Sequence, residues 1–65
     1  MHYKVYSMKD VEKLLRKNGY LIERKSGSHL IYFNEQENRH ITIVGGHDMN
    51  PMIIRRLIKE YNLNE

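Results

Sequence analysis

The fold turns on residues 20–44, YLIERKSGSHLIYFNEQENRHITIV. Three stretches rich in β-branched and aromatic residues, 20–25, 29–33 and 39–44, are separated by Ser26-Gly27-Ser28 and by the polar run 34–38, so they read as three strands joined by two turns. In the last of them Ile41 and Ile43 alternate with His40 and Thr42. Side chains of a strand alternate between faces, so the isoleucines point into a core while His40 and Thr42 point away. Pairing Phe33 with His40 closes the second hairpin. That register puts Leu30 and Tyr32 on the core side with Ile43 and Ile41, and leaves His29, Ile31 and Phe33 on the other face beside His40 and Thr42. A slip of one residue would reverse every assignment.

Outside this stretch lie two amphipathic helices. Ser7 is an N-cap with Asp10 at the third helical position, a capping-box variant, and Tyr6 and Val11 are spaced as a hydrophobic staple. Met8, Val11, Leu14 and Leu15 form one apolar stripe, with Lys9, Lys13, Arg16 and Lys17 on the other faces. Asn18-Gly19 ends the helix, because glycine takes the left-handed C′ conformation without a Cβ penalty. Asn50-Pro51 opens the second helix, with Met49 and Ile54 at staple spacing. Its stripe is Ile54, Leu57, Ile58 and Tyr61, and Arg55, Arg56 and Lys59 fall on the polar side. The order helix, strand, strand, strand, helix predicts an α+β fold: a three-stranded antiparallel sheet with both helices on one face and the other face open.

The chain has 65 residues, and with no repeats or linkers residues 1–65 are expected to be one domain. Cysteine is absent, which excludes a disulfide framework, thiolate-ligated zinc and a cysteine nucleophile. No apolar run approaches the roughly 20 residues that span a bilayer, and Met1-His2-Tyr3-Lys4 is not followed by an apolar signal region, so a cytoplasmic protein without membrane association is expected. Eleven Lys and Arg face eight Asp and Glu, a net charge of +3. The excess lies in residues 1–33, with seven basic against three acidic residues, a balance of +4. Either a polyanionic partner or an ordinary solvated surface accounts for it.

Four histidines are the candidates for proton transfer. His2 belongs to a terminus expected to fray. His47-Asp48 invites a metal reading, but one such pair without further ligands at fixed offsets is a weak motif, and no metal or other cofactor is expected. His29 starts a strand just after Ser26-Gly27-Ser28, and Arg24 and Lys25 stand upstream to attract a phosphate. Histidine ordinarily titrates at about 6.5 and can both take and give a proton near neutrality. The plain alternative is an exposed strand-edge residue with no chemical role.

Three motifs sharpen this choice. Val11-Glu-Lys-Leu-Leu-Arg-Lys-Asn-Gly-Tyr20, Glu23-Arg-Lys-Ser-Gly-Ser-His29 and Arg39-His-Ile-Thr-Ile43, followed by a basic helix, resemble the HicA toxin family of HicAB toxin-antitoxin modules. The likeness spans about residues 7–63, and its most specific element is Gly27-Ser28-His29 placed about ten residues after Asn18-Gly19. The resemblance implies a fold like that of double-stranded RNA-binding domains and a metal-independent endoribonuclease. Such an enzyme cleaves messenger RNA until a HicB-type antitoxin neutralises it. The family's catalytic histidine falls on His29. This chain departs from the commonest pattern in having Leu30 where a second histidine usually follows, and in the short stretch Val44-Gly-Gly-His-Asp-Met49 where a Gly-Lys-rich loop is frequent.

On that reading His29 is the general acid or base, Arg24, Lys25 and Ser28 supply charge and hydrogen bonds, and His40 is a candidate second group. Histidine catalysis alone supplies about 10²- to 10⁴-fold, so a slow enzyme is expected. The basic helical residues would hold RNA by its phosphates, with salt dependence and little sequence preference. Ile31 and Phe33 would be covered by the antitoxin, and the complex can be a homo-oligomer of such pairs. The competing reading is a module of the same fold that binds RNA or protein without cutting.

Overall fold

The computed structural model describes residues 5–45 and 50–65; His2, His47, Asp48 and Met49, which figure in the sequence reading, lie outside the described residues. The elements run α1 (Met8–Lys17), β1 (Leu21–Ser26), β2 (His29–Asn34), β3 (Arg39–Val44) and α2 (Pro51–Glu60). The sheet is antiparallel with β2 in the middle, order β1-β2-β3. This is the predicted α-β-β-β-α architecture.

The first helix starts and stops as its sequence predicts, and the second starts at Asn50-Pro51, where the Asn50 side chain accepts from the Met52 amide at 2.8 Å. Ser7 accepts from the Asp10 amide and the Asp10 carboxylate accepts from the Ser7 amide at 3.2 Å each, a closed capping box. Gly19 sits at φ +88° while Tyr20 N–H donates to Leu15 O at 2.8 Å and Gly19 N–H to Arg16 O at 3.0 Å, the two bonds of a Schellman ending. Tyr20 is therefore used by the helix end, and β1 begins one residue later than the pattern of apolar residues suggests. At the end of α2 the same left-handed role falls to Asn62, φ +53°, and Leu63 N–H donates to Ile58 O at 2.9 Å. Asparagine tolerates that conformation better than most residues.

The core joins one stripe of each helix to one face of the sheet. Val11, Leu14 and Leu15 of α1, Ile54 of α2, and Tyr32, Ile41 and Ile43 of the strands are buried in a single cluster with Tyr6, Tyr20 and Leu63. The β2–β3 register is the predicted one, with Leu30 opposite Ile43, Tyr32 opposite Ile41 and Phe33 opposite His40. β2 runs one residue beyond the expected end because Asn34 pairs with Arg39. Burial raises the hydroxyl pKa of Tyr20, with nearby Arg39 pulling the other way, and burial, aided by Glu12, raises that of Tyr32. These phenols ionise later in the folded chain. Their contribution to stability is therefore intact below the ordinary value near 10 and is lost as pH rises beyond it.

Asn34 is the one buried polar residue among the described residues, 4% exposed. Its amide donates to Asn18 O at 3.0 Å and accepts from the Glu37 amide at 3.1 Å, so the β2–β3 turn is tied to the end of α1. Asn18 in turn accepts from the Asn64 amide at 2.7 Å and donates to Asn64 O at 2.9 Å. Two asparagines thus tie three chain segments together, and the bonds of Asn34 answer polar groups that burial would otherwise leave costly.

Candidate active site

The face of the sheet turned from the helices carries the candidate residues. On β2 the outward positions are His29, Ile31 and Phe33, which pair on β3 with Val44, Thr42 and His40. On β1 their partners are Ser26, Arg24 and Leu21. His29 is exposed, Ile31 and Phe33 are half-buried, and Leu21 and Val44 are 58% and 55% exposed. No element among the described residues covers this face.

His29 is held by a tight turn. Gly27 at φ +60° followed by Ser28 without positive φ is the glycine-first pattern of a two-residue hairpin loop, and no heavy atom lies within 4 Å of where a Cβ on Gly27 would stand. Ser28 O accepts from the Gly45 amide at 2.6 Å, fastening the chain that leaves β3 against the turn. His29 therefore stands at the head of the central strand with Ser26 on one side and Val44 on the other. Its ring has open access to solvent while its backbone is fixed.

The two upstream cations separate. Arg24 pairs with Ile31 and so belongs to the face of His29, whereas Lys25 pairs with Leu30, whose side chain packs against the core from the helix side. Arg24 is thus the cation the strand directs toward the same surface, and Lys25 lies at the edge of the opposite one. Ser28 sits in the turn itself, adjacent to His29 in the chain.

His40 is on the open face but not beside His29. Four residue steps separate the pair His29–Val44 from the pair Phe33–His40, roughly 13 Å at about 3.3 Å per residue. One phosphodiester cannot touch both rings. His40 instead lies on Phe33, with 4.5 Å between ring centroids and 32° between planes, and its Nε2 is 3.3 Å from Glu23 Oε1. Glu23 was not singled out in the sequence. Its reach depends on a β-bulge between Ile22 and Arg24, where β1 gains a residue relative to β2, and such a break in alternation carries no clear signature in this stretch.

Lys13, Arg16 and Lys17 on α1 and Arg55, Arg56 and Lys59 on α2 are all exposed. They belong to the helical layer, so an RNA touching them and His29 together has to wrap an edge of the molecule. Arg39 is engaged elsewhere, its guanidinium 4.7 Å from the centre of the Tyr61 ring. Among the described residues no three His, Cys, Asp or Glu are grouped to hold a metal ion, and no helix is long and apolar enough to cross a membrane.

Around His29, the described residues offer an accessible imidazole at a tight turn, one cation on its own face, two serine side chains next to it and a half-buried apolar stripe leading to His40. Neither the curated proteins nor the solved structures include a match to the chain. The family model described as the HicA toxin of bacterial toxin-antitoxin systems matches residues 8–63, from the first residue of α1 to the buried Leu63. With nearly the whole described fold inside that match, the chain belongs to the HicA toxin family.

Proposed function

We propose that this toxin is an endoribonuclease that cleaves messenger RNA with His29 as its proton-transfer group. The observation that supports this best is the presentation of His29: an exposed imidazole at the head of the central strand, fixed by the Gly27-Ser28 turn and the Ser28–Gly45 hydrogen bond, on a face that also carries Arg24. A reaction suited to so shallow a surface uses the substrate's own nucleophile. The ribose 2′-oxygen attacks the adjacent phosphorus, the P–O2′ bond forms and the P–O5′ bond breaks. His29 takes the 2′-hydroxyl proton or delivers a proton to the departing 5′-oxygen. Arg24 stabilises the charge that gathers on the phosphoryl oxygens, and the Ser28 hydroxyl donates to them. This route requires neither metal nor cofactor.

Lys25 and the basic helical residues contribute long-range attraction for RNA. With His40 about 13 Å away along the strands, the second proton-transfer partner in this scheme is water or the RNA itself. That keeps the expected rate low, within the about 10²- to 10⁴-fold that general acid-base catalysis provides.

The partner we assign is a HicB-type antitoxin that covers the open face, burying Ile31 and Phe33 and shutting RNA away from His29. A half-buried apolar stripe beside the site favours this mode of inhibition, since covering it removes both apolar surface and catalytic access from water. The reaction belongs where messenger RNA is translated, in the cytoplasm. The test is to incubate wild type and His29→Ala with RNA in EDTA. Cleavage by the wild type alone is expected; equal cleavage by both would remove His29 from the mechanism, and activity lost to EDTA would call for a metal.

A further inference from the structure

We propose, building on the ribonuclease reading, that the end of the open face far from His29 holds an unpaired base of the RNA: the row Leu21, Phe33, His40 is its stacking platform, and the Glu23 carboxylate accepts a hydrogen from its amino group. The three platform residues are ladder partners at one level of the sheet. Phe33 and His40 already lie ring on ring at 4.5 Å, the His40 side chain is 50% exposed, and Leu21 is 58% exposed. A groove of about 420 Å³ opens alongside, lined in part by Leu21, Phe33, Glu23 and Glu35. Base–aromatic stacking needs a half-exposed ring face, which the outer side of this tilted ring pair supplies, and it tolerates an imidazole as one of its members.

Charge decides which part of the RNA enters. Glu23 and Glu35 repel phosphates from this end, while Arg24 attracts them toward the middle of the face. A strand crossing the sheet is thereby oriented: its backbone keeps to the Arg24 side and only a neutral, flat base comes to the groove. Carboxylates accept from exocyclic amino groups such as cytosine N4, so cytosine is preferred to uracil. Roughly 13 Å from His29 along the strands, the platform is no more than about four stacked nucleotides from the scissile bond at ~3.4 Å each, and fewer if the bases are splayed.

The test uses 2′-O-methyl oligonucleotides with one unmodified ribonucleotide, so that a single bond is cleavable, with cytosine or uracil placed at each of the four positions on either side. Wild type should show a cytosine preference at one of these positions. Phe33→Leu should lower cleavage of the preferred oligonucleotide by about tenfold, the scale of one lost stack, and level the positional dependence. Glu23→Gln should remove the cytosine preference while keeping the requirement for a base. Profiles in both variants identical to wild type would overturn the proposal, as would a Phe33→Leu variant that loses antitoxin affinity alone. A second readout stands apart from catalysis: in the His29→Ala background, 2-aminopurine at the preferred position, or at each position in turn, should be quenched on binding, and Phe33→Leu should abolish the quench. If wild type cleaves none of these oligonucleotides, the ribonuclease reading falls and the quench alone judges the base site. No quench, or one indifferent to Phe33→Leu, would then overturn it.

Discussion

The open face of the sheet has two ends, each with a histidine, and they differ in almost everything else. At the Gly27-Ser28 end His29 stands between Ser26 and Val44, with Arg24 two pairs along the ladder on the same face. At the other end His40 is stacked on Phe33 and paired with Glu23, beside a groove that Glu35 also lines. The same residue type is left exposed at one end and held against a ring and a carboxylate at the other. Sharing a face is therefore not sharing a site: four residue steps of strand, roughly 13 Å, set the two histidines apart.

The sharpest way to break this contrast is to exchange the histidines one at a time. His29→Ala should reduce RNA cleavage by about 10²- to 10⁴-fold. His40→Ala should reduce it by no more than about tenfold, the scale of one stacking contact. Similar losses in both variants would mean that the ends act together. The apolar stripe runs from Ile31 in the middle of the face to Phe33 at the His40 end, and Ile31→Asp or Phe33→Asp should each weaken antitoxin binding by about tenfold or more, because a charge placed there loses its hydration when the face is covered. Unchanged affinity in titration calorimetry would move the antitoxin elsewhere.

A smaller effect separates the neighbours Arg24 and Lys25, which the strand sends to opposite faces. Arg24→Ala should weaken RNA binding and lower the salt slope by about 0.7 for the phosphate contact it loses. Lys25→Ala should leave that slope closer to wild type. The smallest effects concern the turns that hold the two ends. Gly27 at φ +60° and Asn38 at φ +52° both hold a positive φ. Gly27→Ala should cost about 1–2 kcal/mol, all of it backbone since the space is open, whereas Asn38→Gly should stay within about 0.5 kcal/mol in thermal denaturation.

The sequence made much of this legible because its strongest patterns are local. Capping residues, the Asn18-Gly19 stop and the alternation of Ile41 and Ile43 led to the right helices, register and open face. The position of His29 followed from the same alternation and from the Gly27-Ser28 turn. The misses are of a different kind. The bulge that turns Glu23 toward His40 breaks the period of two, and a pattern defined by that period cannot announce its own interruption. Asn18 and Asn34, 16 residues apart, bond through atoms that no spacing rule connects. The distance between His29 and His40, by contrast, was within reach of the residues, because pairing Phe33 with His40 already leaves His29 four steps away along the same strand.

The central claim is that the substrate's own 2′-hydroxyl is the nucleophile and that His29 moves its proton. It is tested most directly by end-group analysis of the products from an oligonucleotide with a single ribonucleotide, cut in EDTA. The wild type should leave a 2′,3′-cyclic phosphate and a free 5′-hydroxyl, His29→Ala should leave the strand intact, and the all-deoxy strand should resist both. A 5′-phosphate on the product, or equal cutting by His29→Ala, would contradict the account.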